Sequence, residues 1–383
     1  MAFAMMAAIT LTTNGAYAFK VNDNNSVGGY ATVWGILDES AFNTATDSSG
    51  EKGKDKSFGF QIKQMRLGAK GDLADKVLGY NVLFDGSGSN SSVAFVEGWI
   101  TLRPLGDVLD INIGQMRPYG TYEVGITSGG KIENLDVYQA GKKQMTSFLA
   151  DSGNNTRDRG VELVFKKLGG MADLRITATN GYGNNGDVGG SISGSKAIWA
   201  NGTMDAAYTA ALILTPVEGL RINAGYGINK HENAVVNVTS STADLTTGAV
   251  SSSSSKVVVD LDRSMYSVGA KLDVKDLGLW IDGEYAALKG ADKDTLAGGY
   301  EVKGYYARLG YFLVPNTLEL IGRYQGWDEI KSKGASEKKN TGYDLGVRLH
   351  VDAFVFTLEY EKQDLDGTSD DPTRLAFRTV LYY

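Results

Sequence analysis

Apolar and polar residues alternate along most of this chain with a period of two. That is the signature of extended strands whose two faces meet different surroundings. The alternation falls into segments centred on 26–38, 57–71, 75–85, 93–103, 108–116, 157–167, 171–181, 205–215, 220–230, 263–273, 277–287, 299–313, 316–327, 339–350, 353–362 and 373–383. Each is about as long as a tilted strand needs to be to cross an outer membrane, roughly ten residues. Three show their faces most plainly. In 220–228, Leu220, Ile222, Ala224, Tyr226 and Ile228 oppose Arg221, Asn223, Gly225 and Gly227. In 343–350, Tyr343, Leu345, Val347 and Leu349 oppose Asp344, Gly346, Arg348 and His350. In 354–361, Phe354, Phe356, Leu358 and Tyr360 oppose Val355, Thr357, Glu359 and Glu361. Segment 58–70 changes phase between Ile62 and Leu67, which predicts a β-bulge there.

The connections sort by length. Short ones lie at 72–74, 104–107, 167–170, 216–219, 274–276, 314–315 and 351–352. Long ones lie at 39–56, 86–92, 117–156, 182–204, 231–262, 288–298, 328–338 and 363–372. Strict alternation of short and long connections predicts an all-β, 16-stranded antiparallel transmembrane β-barrel with short periplasmic turns and long outer loops. The prolines agree: Pro104, Pro118, Pro216, Pro315 and Pro372 all sit in connections or at strand ends, where no ladder hydrogen bond is demanded of them. A charge on the lipid face costs about 2–4 kcal/mol at the midplane, so the charged face of each strand must look into a wet lumen. The Ser/Thr-rich stretch 239–255 is expected to be a mobile outer loop.

The last segment ends the chain on Tyr383, with Leu375, Phe377, Thr379, Leu381 and Tyr383 on one side and Arg374, Ala376, Arg378, Val380 and Tyr382 on the other. It resembles the carboxy-terminal strand of bacterial outer-membrane barrels, whose terminal aromatic the insertion machinery reads.

Composition supports this picture and narrows the chemistry. No run of 18 apolar residues exists, so the sequence predicts no transmembrane helix. Gly is 49 of 383 residues and Tyr 20, with five Pro. Zero Cys removes disulfides, thiolate metal sites and Cys nucleophiles. The net charge of −7 argues against nucleic acid as a partner. Residues 1–18 are small and apolar and end Ala16-Tyr17-Ala18, the core and cleavage site of a signal peptide, which leaves 19–383 as the barrel. The basic residues that ordinarily open such a peptide are missing before Lys20, so a start codon further upstream is expected.

Candidate chemistry lies in two sets. Arg103, Arg175, Arg221, Arg308, Arg323, Arg348, Arg374 and Arg378 fall on the non-apolar faces of their strands. Guanidinium groups stay charged and present forked donors, so a row of them in a wet pore would pass anions along. Acids share that face: Glu162, Asp282, Glu284, Glu319, Asp344, Glu359 and Glu361. A mixed-charge lumen without strong selectivity is therefore the competing expectation. The second set is the third long connection, 117–156, the longest of all. A loop of that length calls for a function, and in sixteen-stranded porins the third outer loop folds inward to narrow the channel. Its candidate lining groups are Arg117, Tyr119, Tyr122, Glu123, Lys131, Glu133, Asp136, Lys142 and Lys143.

Enzyme signals fail. Gly181-Tyr182-Gly183-Asn184-Asn185-Gly186 spells a dinucleotide fingerprint with no helical pattern after it. His231 and His350 are the only histidines, which leaves no His-rich metal site and no accompanied catalytic triad. Tyr305, Tyr311, Tyr360 and Tyr383 lie on apolar faces, as interfacial girdle residues would.

Several stretches, in order, resemble the phosphate-selective porin O and P family: FQIKQMRLGAKG at 60–71, GWITLRP at 98–104, IGQMRPYG at 113–120, RDRGVEL at 157–163, GYYARLGYF at 304–312, IGRYQGWD at 321–328 and the terminal strand. The resemblance implies a trimeric outer-membrane channel with an inward third loop, a basic path and no cofactor. Its partners would be outer-membrane lipid and lipopolysaccharide, small solutes and further copies of itself. Lys131, Lys142 and Lys143 stand where selective members carry a lysine cluster, but Glu123, Glu133 and Asp136 share the loop. The expected function is passive diffusion of small hydrophilic solutes with a lean toward anions, and no enzymatic activity. A sheath around an electron-carrying partner and an outer-membrane hydrolase are the other classes considered.

Overall fold

The computed structural model describes residues 18–38, 57–73, 76–86, 93–127, 134, 138–149, 156–181, 206–243, 250–292, 301–330, 336–366 and 373–382. Among the described residues seventeen strands form, and sixteen of them make the wall. A five-residue strand, β1 (Ala18–Asn22), precedes β2 (Asn25–Asp38), β3 (Ser57–Leu73), β4 (Leu78–Asp85), β5 (Ala94–Leu102) and β6 (Leu109–Met116). Next come β7 (Asp158–Leu168), β8 (Ala172–Thr179), β9 (Ala206–Val217), β10 (Leu220–Ala243) and β11 (Val250–Val274). The wall continues through β12 (Leu279–Asp292), β13 (Glu301–Val314), β14 (Leu318–Ile330), β15 (Lys338–Val351), β16 (Phe354–Leu365) and β17 (Thr373–Tyr382). Each strand from β2 to β17 pairs antiparallel with its sequence neighbours, and β17 returns to β2, with Leu375 opposite Leu37. Closure leaves no open edge in hydrocarbon.

Alternation sets the two surfaces. On β15, Leu345 is 60% exposed while its neighbour Asp344 is 0% exposed. Exposed apolar side chains therefore mark the outside, and buried polar ones mark the lumen. Across eight consecutive strands the outer face carries a row of tyrosines: Tyr208, Tyr226, Tyr266, Tyr285, Tyr305, Tyr324, Tyr343 and Tyr360. Tyr226–Tyr266, Tyr285–Tyr305 and Tyr324–Tyr343 are direct cross-strand partners. Such a row is an interfacial girdle. Tyr311 is also outward, and Tyr383 lies outside the described residues.

The predicted bulge in β3 falls at Lys63. Thr32 pairs with Gln64 and Val33 with Ile62, so Lys63 is the extra residue. The bulge lets Ile62 and Met65 both face outward although they are three residues apart.

Two features differ from expectation. First, 231–262 is not a simple loop. β10 and β11 continue as a two-stranded ribbon to Ala243 and Val250, well past the last rungs with their other neighbours at Lys230–Ala206 and Leu261–Asp292. Valines at 235, 236, 257, 258 and 259 favour extended backbone, and the period-two criterion missed them because they run consecutively. Second, β1 was not anticipated. It pairs with Ser26–Gly28 of β2, on the edge that β17 occupies from Tyr30 onward.

Candidate functional site

The third long connection places its described residues, 117–127, 134, 138–149 and 156, inside the barrel. It begins at Arg117, whose Nε meets Glu97 Oε1 at 3.1 Å and whose Nη1 donates to the carbonyls of Val124 and Thr127. A π-helical turn follows (Tyr122–Ile126), capped by Thr121, whose hydroxyl accepts from Val124 N at 3.1 Å. The main element is α1 (Gln139–Phe148), which lies along β11 to β14.

Polar clasps fix the turn to the wall. Glu284 on β12 accepts the backbone N–H of Tyr122 at 2.7 Å and takes Asn223 Nδ2 at 3.1 Å. Glu123 accepts from Arg308 on β13 at 2.9 Å and from Tyr138 N at 2.9 Å. Burial pushes the Glu123 carboxyl above its ordinary range, with Arg308 and Arg323 pulling the other way. Burial likewise holds the Tyr138 phenol well above its usual value. Gln144 in α1 donates to the carbonyls of Tyr266 and Ala287, and Lys143 Nζ meets Glu329 at 2.9 Å.

Apolar contacts add to the clasps. Val124, Met145, Phe148 and Leu149 pack on Ala207, Met265, Leu288 and Val302. Tyr138 and Ala140 pack on Ala286, Tyr306 and Trp327. Fully burying a large apolar side chain contributes roughly 1.5–3 kcal/mol, so this packing outweighs any single clasp. Two glycines make room. A Cβ on Gly225 would stand 2.3 Å from the Tyr119 ring, and one on Gly227 would stand 3.1 Å from Phe148.

The arginines lie on the expected face, but most are charge-compensated. Arg308 forks onto Asp282 at 2.9 and 2.6 Å. Arg323 pairs with Asp344, Arg348 with Glu319 and Arg374 with Glu361. Arg175 reaches Glu162 at 3.3 Å, and Arg103 reaches Asp72 at 2.7 Å and Asp110 at 3.4 Å. Arg378 donates to the Asn134 carbonyl at 2.8 Å. Arg308, Arg323, Arg348 and Arg378 are buried rather than open to water. Arg221 lies over the Tyr122 ring at 3.4 Å.

The loop set divides too. Arg117, Tyr119 and Glu123 hold the loop to the wall, Tyr119 and Glu123 being buried. Tyr122 is half-buried beneath Arg221, and Lys142 and Lys143 are half-buried on α1. Lys131, Glu133 and Asp136 lie outside the described residues, as does 182–186 of the glycine stretch. His350 meets Glu319 at 3.0 Å.

The sequence reading missed Lys63, Lys70 and Lys166. Lys63 sits in the bulge, 4.6 Å over the Trp34 ring, and Lys166 meets Asp110 at 2.9 Å. It also missed the dock for the loop, whose signal was present: Met265, Leu288, Val302, Tyr306 and Trp327 are large apolar groups on lumen-facing positions.

No protein-family model matches the chain, and no curated protein matches it by sequence. Solved structures do. An anion-selective porin from Comamonas acidovorans aligns over 94% of this chain and 99% of its own, with a TM-score of 0.65 and 11% identity. OmpT, an outer membrane protein of Vibrio cholerae, aligns over 96% and 100%, with a TM-score of 0.63 and 13% identity. The outer membrane channel DcaP of Acinetobacter baumannii aligns over 95% and 99%, with a TM-score of 0.60 and 14% identity. At these identities the likeness is one of fold: the chain builds the closed sixteen-strand barrel of outer-membrane porins.

Proposed function

We propose that the protein is a passive outer-membrane channel for small hydrophilic solutes, leaning toward anions and working as a homotrimer. One observation carries the reading: a helix-bearing loop is fastened inside a closed barrel with a polar lumen. Beyond Arg117, which is tied to Glu97 on β5, the described loop residues are held by β9 to β14, β16 and β17, which supports a passage beside β2 to β8.

That side carries the lean. Lys63 and Lys70 are exposed there. In the Arg175–Glu162 pair the side chains are 27% and 7% exposed, and in Lys166–Asp110 they are 27% and 18%. Long basic stems carry their heads toward the axis while the shorter acids stay near the wall. Arg66 and Arg157 run the other way, each more covered than its acid. The paired arginines favour the second reading, a mixed-charge lumen with little selectivity. Phosphate preference rests on the resemblance alone.

Reversal potentials in planar bilayers under a KCl gradient test the lean. Wild type is expected to favour chloride, and Lys63→Glu with Arg175→Glu is expected to lower the anion-to-cation ratio severalfold. A wild-type reversal potential at zero would leave the mixed-charge channel instead.

A further inference from the structure

Four of the five tryptophans lie among the described residues, and all four face the lumen. Three are buried and already engaged. Trp280 donates to Glu319 at 2.6 Å, Trp34 lies under Lys63 at 4.6 Å, and Trp327 packs with Tyr138 and Ala140 of the inward loop. Trp99 on β5 is different. It is only half-buried, and among the described residues no ring or cation stacks on it and no acceptor meets its N–H. It lies in phase with Glu97 and Thr101, whose side chains meet Arg117 and Asn112, and out of phase with the outward Ile100. An indole on the outer face would serve the interfacial girdle. One on the lumen face cannot.

The register sets two more unengaged side chains beside it. Lys70 on β3 pairs with Asn81 on β4, and Asn81 pairs with Trp99. Lys70 is in phase with the buried Arg66, so the row faces the lumen. Among the described residues neither Lys70 nor Asn81 has an ion pair or a side-chain hydrogen bond. The row crosses two strand spacings, about 10 Å.

The acids of β3 to β6 are held by other cations. Asp72 meets Arg103 at 2.7 Å, and Asp85 meets Arg66 at 3.0 Å. Glu97 meets Arg117 at 3.1 Å and Arg157 at 2.8 Å, and Asp110 meets Lys166 at 2.9 Å. Asp23 and Asp107 lie in exposed turns at the rim. Lys70 therefore offers one uncompensated positive charge, Asn81 an amide donor and Trp99 a flat apolar face. A hydrated inorganic ion would use the ammonium and leave the indole idle. A planar ring bearing a single carboxylate uses all three.

We propose that this row is a transit subsite for small aromatic carboxylates, with the ring against Trp99 and the carboxylate on Lys70 and Asn81. The proposal rests on the channel reading above and names a solute class for that passage. The test uses the full-length protein in planar bilayers, with benzoate or acetate added to the short-turn side and chloride current recorded. A transit subsite must release its solute, so weak, saturable block is expected. Benzoate is expected to half-block at a concentration severalfold below that of acetate, which carries the same charge without the ring. Trp99→Ala is expected to raise the half-blocking concentration of benzoate roughly tenfold, equivalent to about 1.4 kcal/mol, and to leave that of acetate unchanged. Trp99→Phe, which keeps a ring, is expected to retain most of the benzoate block. Lys70→Gln, at an exposed position, is expected to weaken block by both acids, and no effect there overturns the placing of the carboxylate. Equal block by the two acids overturns the aromatic class, as does unaltered benzoate block in a folded Trp99→Ala channel. A conducting wild type that benzoate does not block overturns the subsite alone, whereas a wild type that passes no KCl current removes the channel reading itself.

Discussion

At the scale of single residues, alternation says which way a side chain points but not what it meets. Ile222 and Arg221 are adjacent, yet one faces hydrocarbon and the other the lumen. Ile222→Arg is expected to cost about 2–4 kcal/mol near the midplane. Urea titration of the folded barrel in detergent checks this, and an unchanged midpoint would contradict the facing of β10. Gly225 poses a subtler case. Any larger side chain must displace Tyr119, because a Cβ alone falls 2.3 Å from its ring. Gly225→Val is therefore expected to lift the base of the loop, raising single-channel conductance while leaving the barrel folded. The lumen side of Arg308, Arg323 and Arg348 was legible in the sequence, because each sits out of phase with the outward apolar residues of its strand, such as Leu309, Tyr324 and Val347. Their burial was not legible. It depends on acids in other strands and in the loop, such as Asp282 and Glu123 for Arg308, which only the register brings within 3 Å.

At the scale of elements, the sixteen wall strands were legible, while β1, the β10–β11 ribbon and the helix were not. Strand limits follow a period-two pattern that the bilayer enforces, as in β15 and β16. α1 carries no bilayer constraint, and its sequence, QAGKKQMTSF, has a single large apolar pair, Met145 and Phe148. Its position is specified by the wall, through the apolar lumen residues Met265, Leu288 and Val302. Excising 139–148 is expected to enlarge the pore and raise conductance in 1 M KCl, on the order of twofold or more if pore area is limiting. No rise would mean that the narrowest point lies elsewhere. The β10–β11 ribbon makes the opposite prediction. A two-stranded ribbon without flanking strands has little independent stability, so it adds little to the barrel. Replacing 234–259 with a short turn is expected to leave both conductance and the thermal midpoint of the barrel unchanged within error.

At the scale of the whole molecule, the outer surface is not the same all round. The tyrosine row runs from β9 to β16 and then stops: at the same level Tyr360 pairs with Leu375 on β17, and Leu375 with Leu37 on β2. Beyond it the outward aromatics include Phe60, Phe84 and Phe95, exposed rings without a hydroxyl. An interfacial position rewards an amphipathic ring, whereas a dry contact between proteins rewards an apolar one. The β17–β2–β3 side is thus the expected contact between copies in the proposed trimer, and β9 to β16 the face toward lipid. Because the chain has no Cys, single introduced cysteines can report on each face separately. A spin label at Val33→Cys, outward on β2, is expected to be shielded from oxygen dissolved in the bilayer. The same label at Tyr324→Cys, in the girdle, is expected to be fully accessible. Dissociating the oligomer with heat while the barrel stays folded should make the two labels alike. Equal accessibility before heating would place lipid on both faces, and the break in the tyrosine row would then need a cause other than self-association.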